Sequence, residues 1–299
     1  MRMRHLRYFL IVAEELSFVR AAAKVHIEPS PLSRAIKELE IQLGVRLLDR
    51  SKGRIQLTCS GKAFREEAHR MLAFMEAARM RVLATSNGAC SYLRIGLEDG
   101  LAQPRIAQLL ARCREEEPRT NIRVVQLKPS DLFQALRYDQ IDVGLTLTEL
   151  DSDEFIQRLA WEERPAAAIP IRHPLLSLEE IPLSELLRYP LILSNPEQDA
   201  KNQKVVPQWL QEQQLPKLKI AEYATSHEAM MMLVSAGYGV TIGLESQLAL
   251  YRHPDVIVRP LSSETPDVPT FASVLNRPFS DELQRFLIRM DAMGNKITI

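Results

Sequence analysis

Cysteine is scarce in this chain: three in 299 residues, Cys59, Cys90 and Cys113. No two stand at the spacing of a metal knuckle or a redox pair, and the odd count suits reduced thiols in cytosol. No apolar run reaches about 18 residues, which argues against a membrane-spanning helix. The N-terminal Met1-Arg2-Met3-Arg4-His5 leads directly into an amphipathic pattern, without a signal-peptide core or cleavage site. A cytoplasmic chain with no membrane partner is therefore expected. Catalytic signatures are missing as well: there is no GxSxG or HExxH, and the six histidines are scattered. "GYGVTIG" is glycine-rich, but it follows a helix and leads into a strand, the reverse of the dinucleotide order. An enzyme is the weaker class, and neither cofactor nor metal is expected.

What is present is a chain long enough for two or three units, 46% hydrophobic and so able to build proper cores. Its zero net charge hides an asymmetry. Residues 1–90 carry 16 Lys or Arg against 9 Asp or Glu, and residues 91–299 carry 22 against 29. A basic head on an acidic body points to a polyanion as the partner of the head alone.

Leu6, Phe9, Leu10 and Ala13 recur at helical spacing and predict an opening helix packed on one face. Ser17 is a good N-cap for a second, short helix, "FVRAAAKV". His26-Ile27-Glu28 is the only connection to a third helix, in which Pro29 and Pro31 fall in the first turn, where proline costs little. Two short helices joined this tightly form a helix-turn-helix. Leu32, Ile36, Leu39 and Leu43 are expected inward, leaving Ser30, Ser33, Arg34 and Lys37 outward near the end that enters a major groove. Arginine can fork to guanine or clamp a phosphate, and serine can bond to base or backbone.

"LLDRSKGRIQLT" then reads as a basic hairpin with Gly53 at its tip and a strand "RIQLT", a wing able to reach phosphates or a minor groove. From Ser60 a long helix carries Phe64, Ala68, Met71, Met75, Ala78 and Val82 in steps of four and three, the seam of a two-stranded coiled coil. "TSNGACS", residues 85–91, breaks it and marks a linker.

The run from Leu6 to Phe64, with "SFVRAA", "PLSRAIKELE", "LGVRLLDR" and "LTCSG" in order, resembles the winged helix-turn-helix of LysR-type transcriptional regulators. The resemblance implies a head at residues 1–59, a dimerising linker helix and hinge at 60–90, and an effector domain at 91–299. The expected DNA contacts are Arg20, Ser30, Pro31, Ser33, Arg34, Lys37, Arg50, Lys52 and Arg54. Where the family commonly enters the third helix with Ser-Gln-Pro, this chain has Glu28-Pro29-Ser30, and Pro29 cannot make the glutamine's base contact.

Beyond residue 90 the apolar strands "YLRIGL", "NIRVVQL" and "IDVGLTL" alternate with helical stretches. After a crossover near "RPAAAIPI" come "PLILS", a helix "VVPQWLQEQQL", "KIAEYA", a helix "HEAMMMLVSAG", "GVTIGL", "TFASVLN" and a last helix "SDELQRFLIRM". The alternation predicts a largely parallel α/β arrangement in two units, binding ligands near the strands' carboxyl ends. "LRIG", "ALRYDQIDVGL", "RHPL" and "LVSAGYGVTI" resemble the same family's effector domain, which is akin to periplasmic solute-binding proteins. In this reading lobe I is about 91–164 plus 268–299 and lobe II about 165–267. Asp139 stands where the family usually has glycine, and Leu244 where it has proline. The fold expected is thus multidomain: an all-α winged helix-turn-helix with a long dimerisation helix, then a two-lobed α/β domain.

The strand ends nominate Glu98, Asp99, Gly100, Ser130, Thr146, Ser194, Asn195, Thr225 and Ser226 as effector-binding, with His227 opening the following helix. Hydroxyls and amides at helix N-termini suit a carboxylate, and the resemblance implies a small organic acid. Glu98 and Asp99 equally suit a cationic or hydroxyl-rich effector. The reading is of a ligand-responsive transcription regulator. Its expected partners are double-stranded promoter DNA, a small-molecule effector and a second copy through residues 60–85. A homotetramer and, for an activator, RNA polymerase complete the set. The rivals are an effector-independent repressor and an enzyme built on the α/β half.

Overall fold

The computed structural model describes residues 2–50, 55–86, 91–98, 101, 103–150, 152–194, 218–251 and 253–294. They form two compact units, residues 1–88 with 134–140, and residues 89–133 with 141–299.

The first unit opens with α1 (Met3–Glu15), α2 (Phe18–Lys24) and α3 (Pro29–Leu43). Ser17 caps α2 by accepting the Arg20 amide, and Pro29 occupies the first turn of α3. Between α2 and α3 the Ile27 amide returns to the Ala22 carbonyl at 3.1 Å, closing a Schellman turn. His26 supplies that turn's left-handed residue, with φ 53°. A β-carbon costs about 1 kcal/mol there. His26→Gly is therefore expected to raise the stability of the head by about that amount in urea unfolding.

Leu32, Ile36 and Leu39 are fully buried and meet Phe9, Leu10 and Ala21 in one core. Leu43, expected inward with them, is 36% exposed, because α3 stops at once in the left-handed Gly44. A two-stranded antiparallel hairpin follows, β1 (Leu48–Asp49) with β2 (Gln56–Leu57). Its expected tip, Gly53 with Lys52 and Arg54, lies outside the described residues.

Next comes α4 (Cys59–Ser86). Thr58 caps it, its hydroxyl oxygen accepting the Gly61 amide at 2.9 Å. The six-residue seam read from the sequence divides in two. Phe64 and Ala68 belong to the head's own core, with the Phe9 and Phe64 rings 5.1 Å apart. Three short helices bury too little apolar surface alone, and the start of α4 completes their core. Met71, Met75 and Val82 are 38%, 47% and 70% exposed, and Phe74, which the seam omitted, is 63% exposed.

Among the described residues the second unit contains a five-stranded sheet and, in its other lobe, a three-stranded sheet bridged to a two-stranded one. The first is built from β3 (Ser91–Glu98), β4 (Thr120–Leu127), β5 (Val143–Thr146), β6 (Phe155–Glu163) and β12 (Val268–Leu275), in the order β4-β3-β5-β12-β6. Helices α5 (Gln103–Glu116), α6 (Pro129–Arg137) and the last helix, α10 (Asp281–Gly294), accompany it. The expectation of a largely parallel sheet holds for four of these five strands, β4, β3, β5 and β6, which run the same way. β3 pairs in parallel with β4 and β5, but β12 runs antiparallel to both of its neighbours. The returning chain comes back from the second lobe pointing the other way, so its strand inserts reversed.

Arg164 carries the chain across to β7 (Pro165–Pro170), the residues read from sequence as a crossover only. β7 lies between β10 (Thr241–Leu244) and β11 (Val256–Pro260), antiparallel to each. β8 (Leu191–Ser194) pairs in parallel with β9 (Ile220–Ala224), and a parallel bridge from Leu191 to Val240 joins that pair to β10. Helices α7 (Leu183–Leu186), α8 (His227–Ser235) and α9 (Glu245–Leu250) belong to this lobe. The helix expected at "VVPQWLQEQQL" lies outside the described residues. Asp139 has φ 56°, in the left-handed region where glycine is unstrained and aspartate is tolerated.

Candidate nucleic-acid interface and ligand cleft

Ser30, Ser33, Arg34 and Lys37 fall at i, i+3, i+4 and i+7 of α3, one stripe opposite its buried leucines. Ser30, Pro31, Arg34 and Lys37 are exposed and Ser33 is half-buried. Among the described residues Arg34 and Lys37 have no carboxylate within ion-pair distance. Two other expected contacts are engaged inside the head. Arg20 donates to the Glu15 carboxylate at 3.0 Å and to its carbonyl, while Lys24 approaches the same carboxylate at 2.6 Å. These two partners hold the Glu15 carboxyl below its ordinary value, Lys24 more than Arg20.

Arg50 lies 3.3 Å from Glu40 and over the Phe18 ring, 5.1 Å from its centroid. The other Glu40 oxygen accepts the Leu47 and Leu48 amides at 2.8 and 3.1 Å, tying the start of the hairpin to α3. Sequence reasoning missed Glu40 because its partners follow a turn. The Arg20 side chain is two-thirds exposed, so a phosphate can take that arginine over. Arg50 is more firmly committed.

Topology places the second set. β3, β4 and β5 run in parallel, so Glu98, Leu127 and Thr146 end at one edge of the first sheet. β6 and β5 are both antiparallel to β12, so Glu163 ends at that edge too. In the bridged sheets of the other lobe Ser194, Ala224 and Leu244 share one edge, and Pro165, the start of the antiparallel β7, lies on it. Since only Arg164 separates Glu163 from Pro165, the carboxyl ends of both lobes' sheets adjoin the crossover.

Glu98 is 9% exposed and accepts the Thr146 hydroxyl and, at 2.8 Å, the Leu147 amide. Burial pushes its carboxyl up, against those hydrogen bonds. Thr146 is fully buried, and its oxygen accepts the Thr148 amide at 2.9 Å. Ser130 opens α6 half-buried, 3.4 Å from the Asp131 carboxylate. Ser194 and Thr225 are exposed at their strand ends, and Ser226 caps α8 by accepting the Ala229 amide at 3.2 Å. His227 points into its own lobe, 2.7 Å from Gln247 and stacked on Tyr251. Asp99, Gly100 and Asn195 lie outside the described residues. Among the described residues, no group of three His, Cys, Asp or Glu has the arrangement of a metal site. No described helix is long and apolar enough to cross a membrane.

Two family models match the chain. Residues 3–62 match the bacterial regulatory helix-turn-helix protein, lysR family, and residues 86–290 match the LysR substrate binding domain. The Hca operon transcriptional activator HcaR of Escherichia coli (strain K12) is 30% identical over 269 residues, 90% of each chain. The regulator AlsR of Bacillus subtilis (strain 168) is 31% identical over 253 residues, 84% of this chain and 83% of that one. Among solved structures, CbnR, a LysR family transcriptional regulator, covers 99% of this chain and all of its own at 21% identity and TM-score 0.70. Full-length CbnR complexed with its target DNA aligns at 23% identity and TM-score 0.68, covering 98% of this chain and 99% of that one.

Proposed function

This chain belongs to the LysR family of bacterial helix-turn-helix regulators, and on that premise we propose that it reads promoter DNA with the outer stripe of α3. It answers a small-molecule effector held where the two strand-end edges of its second unit meet. One observation carries the DNA assignment. The head pairs Arg20 and Arg50 internally, yet leaves Arg34 and Lys37 exposed without a carboxylate among the described residues, beside two serines at the N-terminal end of α3. That is the end which enters a major groove.

The exposed Met71, Met75 and Val82 on α4 supply the contact for a second copy, so that two heads reach two half-sites. Dimers pair again into a tetramer. HcaR is by name an activator, which favours activation through RNA polymerase here. The protein acts in the cytoplasm, on DNA, and is not an enzyme.

The Glu98 arrangement supports a small organic acid as effector. Its carboxylate is turned onto residues 146–148, where it accepts the Thr146 hydroxyl and the Leu147 amide, so its oxygens are engaged there rather than turned toward an anion. Ser130, Ser194, Thr225 and Ser226 stand nearby at strand ends and helix starts, with Ser226 capping α8 and Ser130 beside Asp131, positions an acid would have to share.

The test is fluorescence anisotropy on duplexes tiling the DNA upstream of the protein's own gene, in a salt series. The Ser33, Arg34, Lys37 to alanine triple variant is expected to bind the preferred duplex about 10- to 100-fold more weakly. Its salt slope should fall by up to about 2. A folded triple variant that matches wild type on that duplex removes α3 as the reading face.

A further inference from the structure

At the crossover a buried carboxylate joins side chains from both lobes. Glu163, the last residue of β6, is 6% exposed. Its Oε1 accepts the hydroxyl of Ser246, on α9 of the second lobe, at 2.7 Å. The same oxygen lies 3.6 Å from the Arg105 guanidinium, on α5 of the first lobe. Its Oε2 is buried and has no partner among the described residues. One residue along, the Glu245 amide donates to the Arg164 carbonyl at 3.0 Å, and apolar Leu244 packs with Leu147 and Val268. The backbone and the apolar contacts hold the hinge itself. The Ser246 bond is a side-chain contact that parting lobes would break.

Its energetics suit a bond that opens. A carboxylate this buried needs several donors to offset its lost hydration. Among the described residues it has one hydrogen bond and one loose ion pair, and the neighbouring Glu245 opposes its charge. In a parted state water would reach both oxygens. The closed state is therefore favoured only modestly, which a two-state element needs if a ligand is to shift it.

We propose that Glu163 is a positioning residue that latches the second lobe onto the first through Ser246, setting the lobe angle from which the effector response starts. This rests on the two-lobed effector reading above, but not on the identity of any effector. A bond between a hydroxyl and a buried charged group contributes enough that its loss changes the closed-to-open ratio about tenfold.

The measurement is single-molecule energy transfer in the full-length protein. Fluorophores sit on genetically encoded handles at the exposed Glu115 and Met232, with labelled chains diluted into excess unlabelled protein. Neither DNA nor effector is added. Ser246→Ala, mild enough to fold, and Glu163→Ala are both expected to move the population toward the parted lobes by about that factor. Glu163→Gln, which keeps an acceptor for Ser246, should move it less than Glu163→Ala. An unchanged distribution in Ser246→Ala, or a shift in Glu163→Ala alone, overturns the latch. The α3 triple variant should leave the distribution unchanged, so a failure of the DNA assignment and a failure of the latch are separately visible.

Discussion

Gly61→Ala is expected to destabilise the head by about 3 kcal/mol or more and to remove DNA binding with it. A β-carbon at Gly61 would lie 3.0 Å from the Leu47 carbonyl carbon and closer still to its oxygen. The obstacle is backbone, and it is anchored. The Leu47 carbonyl accepts the Thr58 amide at 3.0 Å and the Thr58 hydroxyl at 3.2 Å, while its own amide donates to Glu40 at 2.8 Å. Moving Leu47 aside would break the cap of α4 and the tie from α3 to the hairpin together. Gly44→Ala is the useful contrast. Its β-carbon would meet nothing within 4 Å, so only its left-handed φ of 70° matters, at about 1 kcal/mol. Urea unfolding followed by circular dichroism, with anisotropy on the preferred duplex, should rank the two. Equal losses would mean that the close approach at Gly61 relaxes more easily than its geometry allows.

Glu117→Gln is the second large effect, and it carries a pH signature. Burial pushes the Glu117 carboxyl up, but hydrogen bonds from Arg285, Arg289 and Thr120 outweigh it and hold it at about 2. Arg289 is 9% exposed and bridges to Glu116 as well, clamping α10 to the end of α5. A depressed carboxyl contributes stability that is complete above its unfolded value of 4.5 and fades as pH falls toward 2. After allowance for screening at this partly exposed site, that contribution is about 2 kcal/mol. The glutamine variant should lose it at pH 7 and differ little from wild type near pH 2. Urea midpoints for the second unit at pH 7, 4 and 2.5 check the sign. A deficit that grows toward low pH would refute the assignment.

Much of the head was legible because its determinants are local. Proline in a first turn, Ser17 before a helix and leucines at spacings of four and three each state their role within a few residues. The stripe of Ser30, Ser33, Arg34 and Lys37 follows from the same periodicity. Strand β6 was not legible. Its burial does not alternate, because its pairing with β12 slips between Thr270 and Phe271 and turns neighbouring residues to unexpected faces. Nor did a helical seam reveal that Phe64 and Ala68 serve the head while Met71, Met75 and Val82 stay exposed. Spacing says that residues share a face, not which body covers it.

The sequence by itself therefore determined the helix-turn-helix, its outward cations and most of the succession of α/β elements, since each depends on propensities and periods within a dozen residues. Tertiary structure alone decided what depends on long-range pairing. It set β12 antiparallel within the first sheet, placed the Leu47 carbonyl against Gly61, and joined Glu163 to Ser246 across 83 residues of chain. Such contacts are fixed by which strands pair and by where the chain crosses between lobes. The residues that meet there are ordinary ones, and nothing near them in sequence marks their partners.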